Sequence, residues 1–152
     1  MADKAYSLEF DGYWREPVIG TMPEGSGIYS VYACVHNAQE RTNSLKRLLY
    51  IGEAGDVRGR VGPHEYWPKW KAELKDNEVI CFGVAMIAGE NDRQRAEAAL
   101  IFKNKPPCNT EYVNAFPFDA TSVTSSGKNK FLSTPFTVQR TAAASVGTGA
   151  PR

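Results

Sequence analysis

A chain of 152 residues with 42% hydrophobic, 23% charged and 11% aromatic residues has the size and balance of one compact domain, which excludes a multidomain enzyme. Eighteen Lys and Arg against 17 Asp and Glu give a formal net charge of +1, which excludes a polybasic DNA-coating protein and leaves any polyanion to a local patch. No run approaches the roughly 18 apolar residues that cross a bilayer, and charges interrupt Met1 to Phe10, so the sequence predicts an intracellular protein, cytoplasmic or otherwise, without membrane contact.

Residues 1–24 hold Trp14, Pro17 and Pro23 without a clear period and end in the turn-forming run Pro23-Glu24-Gly25-Ser26-Gly27, which predicts an irregular N-terminal arm. A domain is expected over residues 25–114. It opens on Gly27 to Val35, where β-branched and aromatic residues predict a strand; Arg47 to Gly52 predicts a second, after the polar loop Asn37 to Lys46. Paired as a hairpin, these strands could set Tyr29 beside Tyr50, although periodicity leaves the register open. Gly55, Gly59, Gly62 and Pro63 weaken any helix between Asp56 and Trp67, and a short helix is expected over Trp70 to Lys75. Val79 to Ala88 is almost continuously apolar, the pattern of a central strand covered on both faces. Asn91 to Asn104 predicts a helix, capped by Asn91 with Gln94 returning the bond, and stopped by Pro106-Pro107.

Residues 115–152 form a Ser-, Thr-, Gly- and Ala-rich extension. Phe116, Phe118, Phe131, Leu132 and Phe136 could pin it to the domain as far as about residue 141, whereas Ala142 to Arg152 has little to bury and is expected to be disordered. Cys34, Cys81 and Cys108 are odd in number and lack zinc-site spacing, so they are expected as reduced core thiols.

Glu97 interrupts the apolar helical run from Ala96 to Phe102: either it meets a cation or the helix turns it to water. Tyr29 and Tyr50 pose the same choice, since strand tyrosines usually supply core area and an exposed hydroxyl, and alone neither is evidence of catalysis. Arg58, Arg60 and His64 follow the second strand, where guanidinium could hold a phosphate and imidazole could exchange a proton; a solvated basic turn is the alternative. With His36 and His64 the only histidines, any metal must be held mostly by oxygen, which favours magnesium or manganese. Ser122 to Asn129 lacks the first glycine and the hydroxyl residue of a phosphate-binding P-loop, and no nucleophile elbow or dinucleotide fingerprint is present.

Gly27-Ile28-Tyr29 and Tyr50-Ile51-Gly52, with Arg60 ten positions after the second tyrosine, His64 four further on, then Glu97 and Lys105-Pro106-Pro107-Cys108-Asn109, resemble the motif set of the GIY-YIG nucleases. The resemblance spans about 83 residues, Gly27 to Asn109. It departs from the family in three places: 20 residues separate the triplets, Glu53 stands where the repair branch carries lysine, and Gly62-Pro63 breaks the helix that elsewhere joins arginine and histidine.

The fold expected from the elements and the resemblance together is α/β of the α+β type, a small mixed or mainly antiparallel three-stranded sheet flanked by helices, with the C-terminal extension. The resemblance implies a magnesium-dependent DNA endonuclease, with manganese as a possible substitute. In it Tyr29 would be the general base or its relay, Tyr50 would orient water on the phosphate, and Arg60 would offset phosphoryl charge. His64 would support proton transfer with Tyr29, and Glu97 would bind the single metal. Gly27 and Gly52 belong to the motifs, and Asn109 is expected to fix the helix end. The alternative is a nuclease-fold module with little or no activity that docks nucleic acid or a protein partner, in which the extension could recruit that partner.

Overall fold

A computed structural model describes residues 2–142. The chain forms β1 (Lys4–Arg15), a short 3-10 helix (Glu16–Thr21), β2 (Gly27–Asn37), β3 (Thr42–Ala54), α1 (Val57–Val61), α2 (Trp67–Ala72), β4 (Val79–Met86), α3 (Glu90–Asn104), β5 (Thr121–Gly127) and β6 (Phe136–Val138). One six-stranded mixed sheet has the order β3-β2-β4-β1-β5-β6. Pairing is antiparallel except between β1 and β5. The expected α+β class holds, but six strands replace the expected three.

The additional strands come from the two ends of the chain. Residues 4–15 were expected as part of an irregular arm and instead form a 12-residue strand. The reason lies in the alternation around Ser7 to Phe10: Leu8 and Phe10 are buried while Ser7 and Glu9 face out, and Pro17 and Pro23 fall beyond the strand. In β5, Thr121, Val123 and Ser125 point inward in the same period of two. Phe116, Leu132 and Phe136 are buried and Phe118 packs against them, but Phe131 is 46% exposed. The extension is thus part of the sheet through Val138, and of the run from Ala142 to Arg152 that was expected to be disordered, residues 143–152 lie outside the described residues.

β4 lies between β2 and β1, and its apolar run is explained by packing on both faces of the sheet. On one face Ile28 and Ala85 pack with Leu100 of α3; on the other Tyr29, Val31 and Val84 pack with Val57, Val61 and Trp70. The alternation of sides along β2 therefore sends Ile28 to one core and Tyr29, Val31 and Ala33 to the other, while Tyr32 and Cys34 form a third, smaller cluster with Cys81. Among the described residues no helix is long and apolar enough to cross a membrane.

Local differences have local causes. The glycine-punctuated segment does contain a helix, α1, because Val57 and Val61 recur four apart and are both buried; Gly62 and Pro63 then end it. α2 starts at Trp67, three residues before the expected Trp70, with Pro68 in its first turn, where a missing N–H costs nothing. α3 starts at Glu90 after Gly89, whose φ of 88° shapes the turn from β4, so Asn91 is already inside the helix and makes no cap bond. Cys34 and Cys81 are joined in a disulfide, contrary to the expectation of reduced thiols, and Cys108 alone is free. The β2–β4 register sets Tyr32 opposite Cys81 and Cys34 opposite Val79, a juxtaposition that a sequence separation of 47 does not disclose.

Candidate functional site

The hairpin of β2 and β3 places Tyr29 opposite Gly52 and Val31 opposite Tyr50. The two tyrosines are therefore diagonal neighbours, with ring centroids 6.2 Å apart. Both motif glycines have a steric reason. A Cβ at Gly52 would sit 2.3 Å from Cζ and 2.4 Å from Oη of Tyr29, so the phenol lies across bare backbone. A Cβ at Gly27 would meet the Ala85 carbonyl at 2.8 Å and Val57 at 3.1 Å.

Asn109 does not fix the helix end, as was expected. Lys105, in a left-handed conformation, closes α3 through its N–H to the Ile101 carbonyl. The Asn109 side chain instead accepts the Ile51 N–H and donates to the Ile51 carbonyl, both at 2.9 Å. The Cys108 N–H donates to the Leu49 carbonyl at 2.9 Å. The run after α3 thus satisfies the outer edge of β3 on both sides of Tyr50, where no sheet neighbour stands.

Tyr29, Tyr50, Arg60 and Glu97 converge on one polar cleft of about 360 Å³, built from β2, β3, α1 and α3. Burial foremost raises the pKa of both phenols, so both are neutral at physiological pH; for Tyr29 the neighbouring Tyr50 adds to this and Arg60 opposes it, while for Tyr50 Glu97 adds to it. Arg60 donates to Glu65 at 2.7 Å, and this bond raises its pKa further. Arg58 points elsewhere: its Nε donates to the Met22 carbonyl at 2.6 Å.

Glu97 has its pKa raised to about 8, first by burial, then by the charges of Glu53 and Glu111, against the opposing effect of Arg93. The alternative in which the helix turns this carboxyl fully to water does not hold. His64 is buried, its Nδ1 accepting the Tyr66 N–H at 2.9 Å, which leaves the proton on Nε2. Nε2 has no hydrogen-bond partner among the described residues. Burial and Arg60 lower the pKa of His64 to about 4, so its 3.7 Å approach to Glu65 is not an ion pair at neutral pH. Its ring centroid lies 4.6 Å from Trp70 and 6.0 Å from Tyr29, and it makes no hydrogen bond to either tyrosine.

Of the other lining residues, Glu111 and Tyr112 were not singled out in the sequence, Gln94 was read only as returning a helix-cap bond, and Glu53 only as a departure from the motif set, without its partner. Glu53 is neutralised by Arg93, which also donates to Ser26 at 2.9 Å. Gln94 lies three residues before Glu97 on α3, a spacing that could have found it. Glu111 and Tyr112 follow Asn109 in an aperiodic loop that carries no such signal.

Among the described residues no three His, Cys, Asp or Glu side chains form a ready metal cage. Glu97, with Glu53 and Glu111 lining the same cleft, is the carboxyl that would hold a hydrated cation once its proton has left, since magnesium commonly binds one or two carboxylates and completes its shell with water and phosphate oxygen. Compared with known protein families, curated proteins and solved structures, the chain matches none.

Proposed function

We propose that this cleft hydrolyses phosphodiester bonds in DNA with the help of a divalent cation, as a small endonuclease of the GIY-YIG kind. The observation that carries this reading is the convergence of Tyr29, Tyr50, Arg60 and Glu97 in one polar cleft, although the chain separates the first from the last by 68 positions. Arg60 is the cation that meets the phosphoryl oxygens: its guanidinium has donors beyond the one held by Glu65, which keeps the side chain oriented. Tyr29 is held as a neutral phenol, so it acts by orienting the attacking water and relaying its proton, while Tyr50 orients the same water from the adjacent strand. The hydrolysis breaks one P–O bond, adds water oxygen to phosphorus and returns a proton to the leaving oxygen.

Neutral His64 packs beneath the tyrosines and offers Nε2–H as a donor. Glu97 would hold the divalent cation, which supplies positive charge to polarise the phosphate and stabilise the leaving oxygen. The proton that Glu97 keeps to about pH 8 must leave first, so activity is expected to rise with pH. The test is incubation of the purified protein with supercoiled plasmid in magnesium or in chelator; nicking or cutting in magnesium alone supports the reading.

A second reading, a binding module of low activity, has one observation in its favour. Tyr29, Tyr50 and His64 are all held neutral, and no hydrogen bond links His64 to either phenol. The same incubation separates the two, because a binding module leaves the plasmid supercoiled in both buffers.

A further inference from the structure

A second cavity, of about 400 Å³, adjoins the cleft, and Gln94 of α3 lines both. Its other walls include Arg95, Lys4, Asn91 and Phe118. Arg95 is only 4% exposed, yet no carboxylate lies within ion-pair distance of it among the described residues. Its guanidinium is instead held by neutral oxygens: Nε donates to Thr121 Oγ1 at 2.8 Å, and Nη2 to the carbonyls of Ala2, Asp119 and Ala120 at 2.8, 3.0 and 3.1 Å. Two acids of the surroundings are engaged elsewhere: Asp92, three positions before Arg95, by Lys4 at 2.8 Å and Tyr6 at 2.7 Å, and Asp119, whose carbonyl Arg95 meets, by Arg140 at 2.9 Å. The charged walls are Lys4, Arg95 and Asp92, whose carboxylate feels both cations, so the lining keeps one net positive charge that favours an anion in the cavity.

Resting on the phosphodiester reading of the cleft, we propose that this second cavity seats the nucleotide next to the scissile phosphate, its phosphate toward Arg95 and its base against Phe118. The half-buried ring of Phe118 supplies an apolar platform, and stacking tolerates any base. Asn91 and Gln94 supply amides that can meet sugar or base edges. Gln94 borders both spaces, so a strand lying in the cleft would pass this side chain to reach the cavity. The shared chemistry is that of a nucleoside phosphate, whether free or part of a strand, and the strand is the occupant assigned here.

The test is an NMR titration of the full chain in chelator, with deoxyadenosine monophosphate in one arm and a single-stranded DNA decamer in the other. Both probes are expected to shift the Gln94 amide, the Arg95 Nε–H and the Phe118 ring, with the decamer binding more tightly. Arg95 also anchors the N-terminal strand, so the variants are placed elsewhere. Asn91→Asp adds charge at an exposed position that favours the helix start and preserves the fold, and Phe118→Ala removes the platform. Each is expected to weaken the decamer by roughly 5- to 100-fold. Wild-type affinity in both folded variants, or no shift at these three groups with either probe, overturns the proposal. A mononucleotide that binds as tightly as the decamer overturns the assignment to the strand. If the shifts appear but magnesium plasmid cleavage does not, the site stands and the hydrolytic reading of the cleft fails.

Discussion

A carboxyl group that keeps its proton to about pH 8 binds no cation until it gives that proton up, and burial holds Glu97 in this state with help from Glu53 and Glu111. Its pKa is raised from 4.5, so the folded protein binds the proton more tightly than the unfolded chain. Its contribution to stability is complete below pH 4.5 and is lost as pH rises through 8. Glu97→Gln is therefore expected to leave the melting temperature unchanged near pH 4, to raise it by a few degrees at pH 8.5, and to abolish cleavage while DNA binding stays within a few fold. Melts at the two pH values and a binding isotherm check all three outcomes. The two tyrosines Tyr29 and Tyr32 make a sharper comparison, because both are almost fully buried but their hydroxyls differ. Tyr32 donates to the Lys130 carbonyl at 2.8 Å, whereas Tyr29 faces the cleft. Tyr29→Phe should lose about 10² to 10⁴ in cleavage rate and fold normally. Tyr32→Phe should keep the rate and lose about 1 kcal/mol of stability. Equal losses of rate would assign Tyr29 to packing. At this scale the sequence disclosed the cleft residues that stand in spaced motifs. It did not disclose that Arg93 neutralises Glu53, because that pair spans 40 positions and depends on how α3 crosses β3.

Among the elements, β3 shows how an edge strand is closed without another strand. It ends the sheet, and Asn109 satisfies both backbone groups of Ile51 with one side-chain amide. Asn109→Ala should cost about 1 to 3 kcal/mol and lower activity through a loosened Tyr50, whereas Asn109→Asp keeps the acceptor but loses the donor and should fall between. Chemical denaturation with a parallel cleavage assay reads both effects. β2, β4, α3 and the Arg47 to Gly52 part of β3 were legible because their apolar patterns coincide with burial on one or two faces, whereas Thr42 to Lys46, expected as loop, is strand because it pairs with the end of β2. β1 was not, since Asp11, Gly12 and Arg15 dilute its second half, and its pairing with β4 shifts register between Gly12 and Trp14. β5 is rich in Ser and Thr, so only its inward Thr121, Val123 and Ser125 distinguish it from a polar linker.

For the molecule as a whole, the two chain ends complete the sheet together: β5 pairs with β1 from Lys4 to Phe10, and Phe116, Leu132 and Phe136 cover the same core as α3. Removing residues 143–152 is expected to leave the melting temperature unchanged. A chain ending at Asn114 loses both β5 and β6 and exposes the edge of β1 from Lys4 to Phe10, and buried side chains of this size contribute about 1.5 to 3 kcal/mol each. Its midpoint should fall by more than about 10 °C or its cooperative transition should vanish, and an unchanged midpoint would make the extension dispensable to the fold. The central claim is that Glu97 recruits a divalent cation to a phosphodiester held in the cleft. The most direct measurement is the rate of supercoiled plasmid cleavage across pH 6 to 9 at several magnesium concentrations. Expected are no cleavage in chelator, a rate that rises toward an apparent pKa near 8 at low magnesium, and an acid limb that moves to lower pH as magnesium displaces the proton. Absence of cleavage at every magnesium concentration, or an unchanged profile in Glu97→Gln, would contradict it.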